Sequence, residues 1–347
     1  MAKTVEKGCV PLTLLLLMAA TLVAAARDPY HLAGHTRLGY AANAHVFDAA
    51  TNRIYSSSRD GVYAVDSSRQ KVLGMVARVP AGAVDFDPAA GELYVLARNE
   101  DQLRVLDVNT RKVTRSFAAP ALYNVIFEPT RSELYYIRGN AKVVRVVDRE
   151  HGEMIANIPL DGYPSFVLAD PPRARVLVRL YDRDLIQVID VKERRVAVSW
   201  SLRADGFSSM TIDRASGRVF VSSGKDVKML DGLSGRELGR FPAGDQVASI
   251  VYDAETKLVA ALWGARYVNV ARVDLMSMTP VQSIDLRTPT RQIFLDPRTH
   301  TLFAMSSIAD DTGFGRAASP DQNTSPRISA LLTLPYTSDS EPHPRSY

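Results

Sequence analysis

The sequence predicts an all-β protein: a seven-bladed β-propeller of four-stranded antiparallel blades, its ring closed by an N-terminal strand that completes the last blade. Three observations predict it. An acidic residue recurs at Asp48, Asp87, Glu128, Asp170, Asp213, Asp253 and Asp296, at intervals of 39, 41, 42, 43, 40 and 43 residues. Six residues after each acid stands a branched aliphatic (Ile54, Leu93, Leu134, Val176, Val219, Val259, Leu302), and the next position is aromatic at Tyr55, Tyr94, Tyr135, Phe220 and Phe303. A second acid keeps its own register at Asp66, Asp107, Asp148, Asp190, Asp231 and Asp274. A solenoid is disfavoured because no capping units flank the repeats.

Within a period, the unit around Asp87 reads as strands at 84–86, 92–97, 102–106 and 112–117. The segments between them are turn chemistry, Asp-Pro-Ala-Ala-Gly from Asp87 and Asp-Val-Asn-Thr-Arg from Asp107. There an Asp carboxylate accepts from backbone N–H groups two residues on, and Pro presets φ at the second turn position. Pro88, Pro129, Pro171 and Pro297 each follow the acid directly. The repeated acids are therefore turn formers rather than a catalytic carboxylate array.

The seventh unit shows strands near 291–295, 301–306 and 328–334, then runs out. Its missing outer strand is expected from Arg37-Leu38-Gly39-Tyr40, which precedes Asp48 much as Glu237-Leu238-Gly239-Arg240 precedes Asp253. Such closure removes an open sheet edge that invites aggregation. One domain then covers residues 27–336, with a flexible tail over 337–347 and a long polar insertion over 307–327.

Residues 1–26 read as a signal peptide. Lys3 and Lys7 give the charged start, residues 10–26 are almost wholly apolar, and Ala24-Ala25-Ala26 offers a cleavage site. Seventeen residues are few for crossing a bilayer, so the expectation is cleavage rather than retention as a membrane anchor, with no membrane insertion afterwards and a periplasmic or secreted protein.

Composition narrows the chemistry. Of 347 residues, 46% are apolar and 23% charged, which excludes a disordered polyelectrolyte. Forty-two basic against 38 acidic residues leave a net charge of +4, too thin to name nucleic acid as the partner. Cys9 is the only cysteine, so disulfides, Cys-ligated zinc and covalent haem are excluded downstream. His31 and His35 are four apart in an entry segment, a weak metal signal, and no metal or cofactor is expected.

Segments such as Glu92-Leu93-Tyr94-Val95 through Leu103-Arg104-Val105-Leu106-Asp107, Ile186-Gln187-Val188-Ile189-Asp190 and Arg218-Val219-Phe220-Val221-Ser222 resemble the YVTN-repeat propellers. That exported bacterial family includes YncE-like proteins. The likeness spans nearly the whole chain after residue 26, although Tyr94-Val95-Leu96-Ala97 is the nearest approach to the literal motif. The resemblance implies an exported seven-bladed propeller; members are linked to nucleic-acid binding or accessory roles, and related propellers include quinoprotein-associated subunits. It carries no catalytic residue onto this sequence.

In such blades the repeated turns crowd one face and the variable turns the other, where function is expected. The variable face carries Arg59, Arg98, Arg138, Arg183, Lys225 and Arg266 in successive second-to-third turns, and Arg291 in a blade connection. Tyr123, Tyr163, Tyr181, Phe207, Trp263 and Tyr267 interleave with them. Acidic neighbours neutralise most of these cations and leave Arg138, Arg266 and Arg291 unpaired by sequence. An anionic ligand held by Tyr123, Arg138, Tyr163, Trp263, Arg266 and Arg291 is the binding expectation.

Two inner-strand positions break the apolar pattern. Three residues before the acid stand His45, Val84, Val125, Val167, Met210, Ile250 and Ile293; two before it stand Val46, Asp85, Ile126, Leu168, Thr211, Val251 and Phe294. His45 and Asp85 either meet in the gap between blades 1 and 2 or point apart. One reading pairs them near the channel mouth, with Asp85 fixing the His45 tautomer; the other leaves each in a buried polar contact to backbone or water. The sequence thus reads as a monomeric binding or interaction module without catalysis of its own, its partner a protein or an anionic ligand. The alternatives are a propeller-type hydrolase or lyase using His45 and Asp85 with Tyr123 or Arg291, or an accessory subunit docking a periplasmic redox partner.

Overall fold

Backbone turns set the fold. In a computed structural model that describes residues 28–40, 42–97, 100–120, 122–138, 140–202, 209–309 and 327–337, each sequence period forms one four-stranded antiparallel sheet, seven in all. Asp87 Oδ1 accepts from Ala89 N at 2.9 Å, and Asp107 Oδ1 from Asn109 N at 2.7 Å. The same bond recurs at Asp48, Asp213, Asp253 and Asp296. Four residues after the acid the backbone turns left-handed in every blade: Asn52, Gly91, Ser132, Ala174, Gly217, Lys257 and His300 all have positive φ. Only two are glycine. At Asn52, Ser132, Lys257 and His300 the acid's side-chain bonds hold a side-chain-bearing residue in a conformation that costs about 1 kcal/mol. Ala174 instead closes the short 3-10 turn Pro171–Arg173, and its N–H donates to the Pro171 carbonyl.

The apolar columns fill the gaps between blades. Ile54, Leu93, Leu134, Val176, Val219, Val259 and Leu302 are all fully buried. One core cluster joins Tyr55, Val62 and Val76 of blade 1 to Val84, Leu93 and Val95 of blade 2, and similar clusters recur around the ring. Each such side chain contributes roughly 1.5–3 kcal/mol by burial. Outer strands such as Lys112–Ala118 alternate towards solvent, since nothing covers their far side.

The turn face is also stitched polar-to-polar from blade to blade. Arg149 of blade 3 reaches Asp87 of blade 2 at 2.6 Å, and Arg194 of blade 4 reaches Glu133 of blade 3 at 2.5 Å. Arg173 donates to the Arg214 and Ala215 carbonyls of blade 5, and His300 Nδ1 of blade 7 lies 2.7 Å from Asp253 Oδ2 of blade 6.

The ring closes as the sequence predicts, with one correction. The strand that completes blade 7 is Gly34–Arg37, paired antiparallel with Arg327–Leu334 in the register Gly34↔Thr333 to Arg37↔Ala330. The expected strand at 37–40 begins where this one ends. Leu38 and Tyr40 instead turn inward, where they join Ala42, Ile54, Phe294 and Phe303 in a buried cluster. Tyr40 stacks on Tyr63 at 4.0 Å. Tyr30 then bridges to Tyr336, bringing the described ends of the chain together. The insertion predicted over 307–327 starts as an extended hairpin, Thr301–Ala309 against Arg327–Leu334; residues 310–326 lie outside the described residues. So do the predicted signal peptide and all but Thr337 of the tail.

Candidate functional site

The two inner-strand outliers do not meet. His45, in the strand Ala42–Asp48, lays its ring on Phe294 of blade 7, with centroids 3.9 Å apart. Its Nε2 is enclosed and has no hydrogen-bond partner among the described residues, and burial pushes the imidazole down to about 3, so it is neutral. Asp85, in the strand Ala81–Asp87, points the other way. Its Oδ2 accepts from Phe127 N of blade 3 at 2.6 Å and its Oδ1 from Phe86 N at 2.9 Å. The expected His45–Asp85 pair is therefore corrected: one register step puts the two side chains on opposite sheet faces, and each turns to a different neighbour. The hydrolase or lyase constellation loses its core with that pair. Tyr123 stands at the far end of the blade 3 strand from Phe127, and Arg291 is an exposed residue of blade 7.

Asp85 opens instead into a cavity of about 330 Å³ on the turn face, spanning blades 2 to 5. Its walls are the same columns taken from consecutive blades. Two residues before the acid come Asp85, Ile126 and Leu168; one before it, Phe86, Phe127 and Ala169; one after it, Pro88, Pro129, Pro171 and Arg214. Burial raises the Asp85 carboxyl to about 6; the Phe127 and Phe86 amides and the Arg214 guanidinium hold it down, while Asp87 pushes it up. Asp87 itself is engaged by Arg149. Asp85 was visible in the sequence as an outlier, whereas Arg214 was missed. Its signal lay in the position after each acid, which reads Ala49, Pro88, Pro129, Pro171, Arg214, Ala254 and Pro297, with a single charge among seven.

The variable face divides into two halves. Arg266, expected to be unpaired, is corrected to a bidentate partner of Asp285, at 2.5 and 2.6 Å. Asp285 is accordingly held down at about 2, first by that bond. The two face each other across adjacent strands in which Tyr267 pairs with Asp285. Trp263 stacks on Tyr267 at 4.7 Å, and its ring fills the space over Gly244, where a Cβ would approach it to 2.2 Å. Those contacts make Trp263 a packing residue, and Lys225 pairs with Asp245 at 3.8 Å. Blades 5 and 6 thus offer a largely neutralised surface.

Blades 3 and 4 differ. Tyr163 and Tyr181 stack with centroids 5.7 Å apart, Lys142 Nζ sits 4.9 Å over the Tyr163 ring, and Asp182 Oδ1 accepts from Tyr163 N at 2.7 Å. Tyr123 and Tyr181 are 59% and 60% exposed. Arg138 ends the strand Glu133–Arg138, opposite Leu122, and neither it nor Arg291 has an ion pair among the described residues. Lys142 was missed by the sequence reading, because the cation in each second-to-third turn was sought at one place only. Arg98 and Phe207 lie outside the described residues.

No family model matches the chain. No curated protein matches it either. Among solved structures it is similar to the β-propeller domain of Cps50 (Swd1) from Myceliophteria thermophila, at 12% identity and a TM-score of 0.67, covering 79% of this chain and 96% of that one. It is also similar to hydrazine synthase from Kuenenia stuttgartiensis, at 16% identity and a TM-score of 0.66, covering 79% and 95%. At such identities the likeness is one of fold, and together with the seven four-stranded sheets it identifies the chain as a seven-bladed β-propeller.

Proposed function

We propose that this protein is an exported, monomeric binding module, periplasmic or secreted, which engages an anionic partner through the blade 3–4 sector of its variable face and performs no chemistry of its own. One observation carries the reading: the stack of half-buried Tyr163 and exposed Tyr181, with Lys142 over the Tyr163 ring. Stacked rings offer a planar apolar platform, and an unneutralised cation beside them attracts carboxylate or phosphate. The opposite half of the same face has these residue types already satisfied internally. Export rests on the pattern of residues 1–26 and on the resemblance to exported YVTN-repeat propellers.

The test is equilibrium binding of the full chain to a labelled oligothymidylate and to an acidic Glu/Tyr copolymer. Tyr181→Ala and Lys142→Ala are each expected to weaken binding roughly tenfold. If about three phosphates are engaged, log affinity for the oligonucleotide falls with log salt at a slope of roughly −2. Binding that ignores both variants, or no binding of either polyanion, rejects the reading. Export is checked separately by sequencing the N-terminus of the protein recovered outside the cytoplasm, expected to begin at residue 27.

A further inference from the structure

The turn face was expected to be monotonous, yet it holds the cavity between blades 2 and 5. At about 330 Å³ it lies at the lower end of the range of small-molecule sites. Its wall is apolar apart from the Asp85 carboxylate inside, a guanidinium at the rim, and Asp87, whose carboxylate is already taken up by Arg149 and by its own turn. Two backbone amides fix the Asp85 carboxylate, one on each oxygen. Each oxygen keeps a second lone pair, so the group is oriented and still able to accept. Asp85 is half-buried, and the cavity is the space it lines. Arg214 is exposed, on the turn Asp213 to Gly217, whose backbone is held by Arg173.

With Asp87 engaged by Arg149, a single free carboxylate is a poor seat for a divalent cation, which takes several oxygen ligands, and no group of three metal-ligating side chains occurs among the described residues. A desolvated carboxylate on an apolar wall is better matched by an organic ammonium, whose hydrocarbon part takes up the remaining surface. Across the cavity Arg214 supplies the complement for a carboxylate, and its fork suits planar bidentate pairing. We infer that this cavity binds a small zwitterion, an α-amino acid with an apolar side chain: Asp85 receives the ammonium, Arg214 the carboxylate, and Ile126, Phe127 and Leu168 the side chain. The site lies on the face opposite the proposed polyanion surface and stands without it.

The experiment is calorimetric titration of the full chain with leucine, methionine and phenylalanine, and with two truncated probes. These are 4-methylpentanoate, which lacks the ammonium, and 3-methylbutylamine, which lacks the carboxylate. At least one amino acid is expected to saturate the protein, with both truncated probes at least tenfold weaker than leucine. Arg214→Ala is expected to bring leucine down to the affinity of the amine, and Asp85→Asn to remove the preference for leucine over 4-methylpentanoate. Arg214 is an exposed turn residue, so its variant reports even if Asp85→Asn compromises folding. The inference is overturned if no amino acid in the panel binds at about ten millimolar, if 3-methylbutylamine binds as tightly as leucine, or if Arg214→Ala changes nothing.

Discussion

His45 and Asp85 are the same kind of anomaly, a polar side chain in an inner-strand column that is otherwise almost wholly apolar, and the fold treats them in opposite ways. His45 is sealed against Phe294 with an unsatisfied Nε2, and burial alone sets its protonation. Asp85 is bonded to two amides, lines a cavity and senses Arg214 at the rim. The first therefore behaves as a packing defect that the blade 1–blade 7 core tolerates, the second as a fixed charge facing accessible space. The contrast shows that an outlying residue points to function only when its neighbours leave it both oriented and reachable.

Their titrations should run in opposite senses. His45 has its pKa lowered from 6.5 to about 3, so its contribution is present above pH 6.5 and lost as pH falls towards 3. Replacing it with the aliphatic of the other blades, His45→Ile, should remove on the order of 5 kcal/mol of acid-induced loss across that window. Urea unfolding at a series of pH values measures this, and an unchanged acid slope would mean that the imidazole is not desolvated. Asp85 has its pKa raised from 3.8 to about 6, so its contribution is full below 3.8 and lost as pH rises through 6. Asp85→Asn should accordingly become more stable relative to wild type by about 3 kcal/mol between pH 4 and pH 7, from the same measurement.

Smaller effects sharpen the contrast. Because Arg214 lowers the Asp85 pKa, Arg214→Ala should move the Asp85 carboxyl titration, followed by carbon-13 NMR, to higher pH while leaving His45 unaltered. Global stability should stay within about 0.5 kcal/mol, as for other exposed positions. Smallest of all is the coupling between the two anomalies. The double variant His45→Ile, Asp85→Asn should equal the sum of the single ones within about 0.5 kcal/mol, whereas a coupling above about 1 kcal/mol would show that the side chains do meet.

The candidate surfaces were legible to different depths. Tyr163 and Tyr181 are placed on the variable face by the repeat, but their stack under Lys142 is not, since they come from a blade connection and a hairpin 18 residues apart. Arg266 looked unpaired because its partner Asp285 lies two strands on in sequence and directly alongside in the sheet. Residues 38 and 40 carry an apolar alternation that suits either a strand or a hook into the core, and the buried cluster around Phe294 and Phe303 selects the hook.

The sequence alone determined the blades, their turns and their number, because each rests on interactions within a few residues that a period of about 40 repeats: an acid capping its own turn, then an aliphatic sent inward. Which way an odd side chain turns, which acid meets which cation and where a cavity is left open were decided by the closed ring. Those outcomes depend on distances between residues a whole blade apart, and a local pattern repeated seven times carries no information about its own exceptions' neighbours.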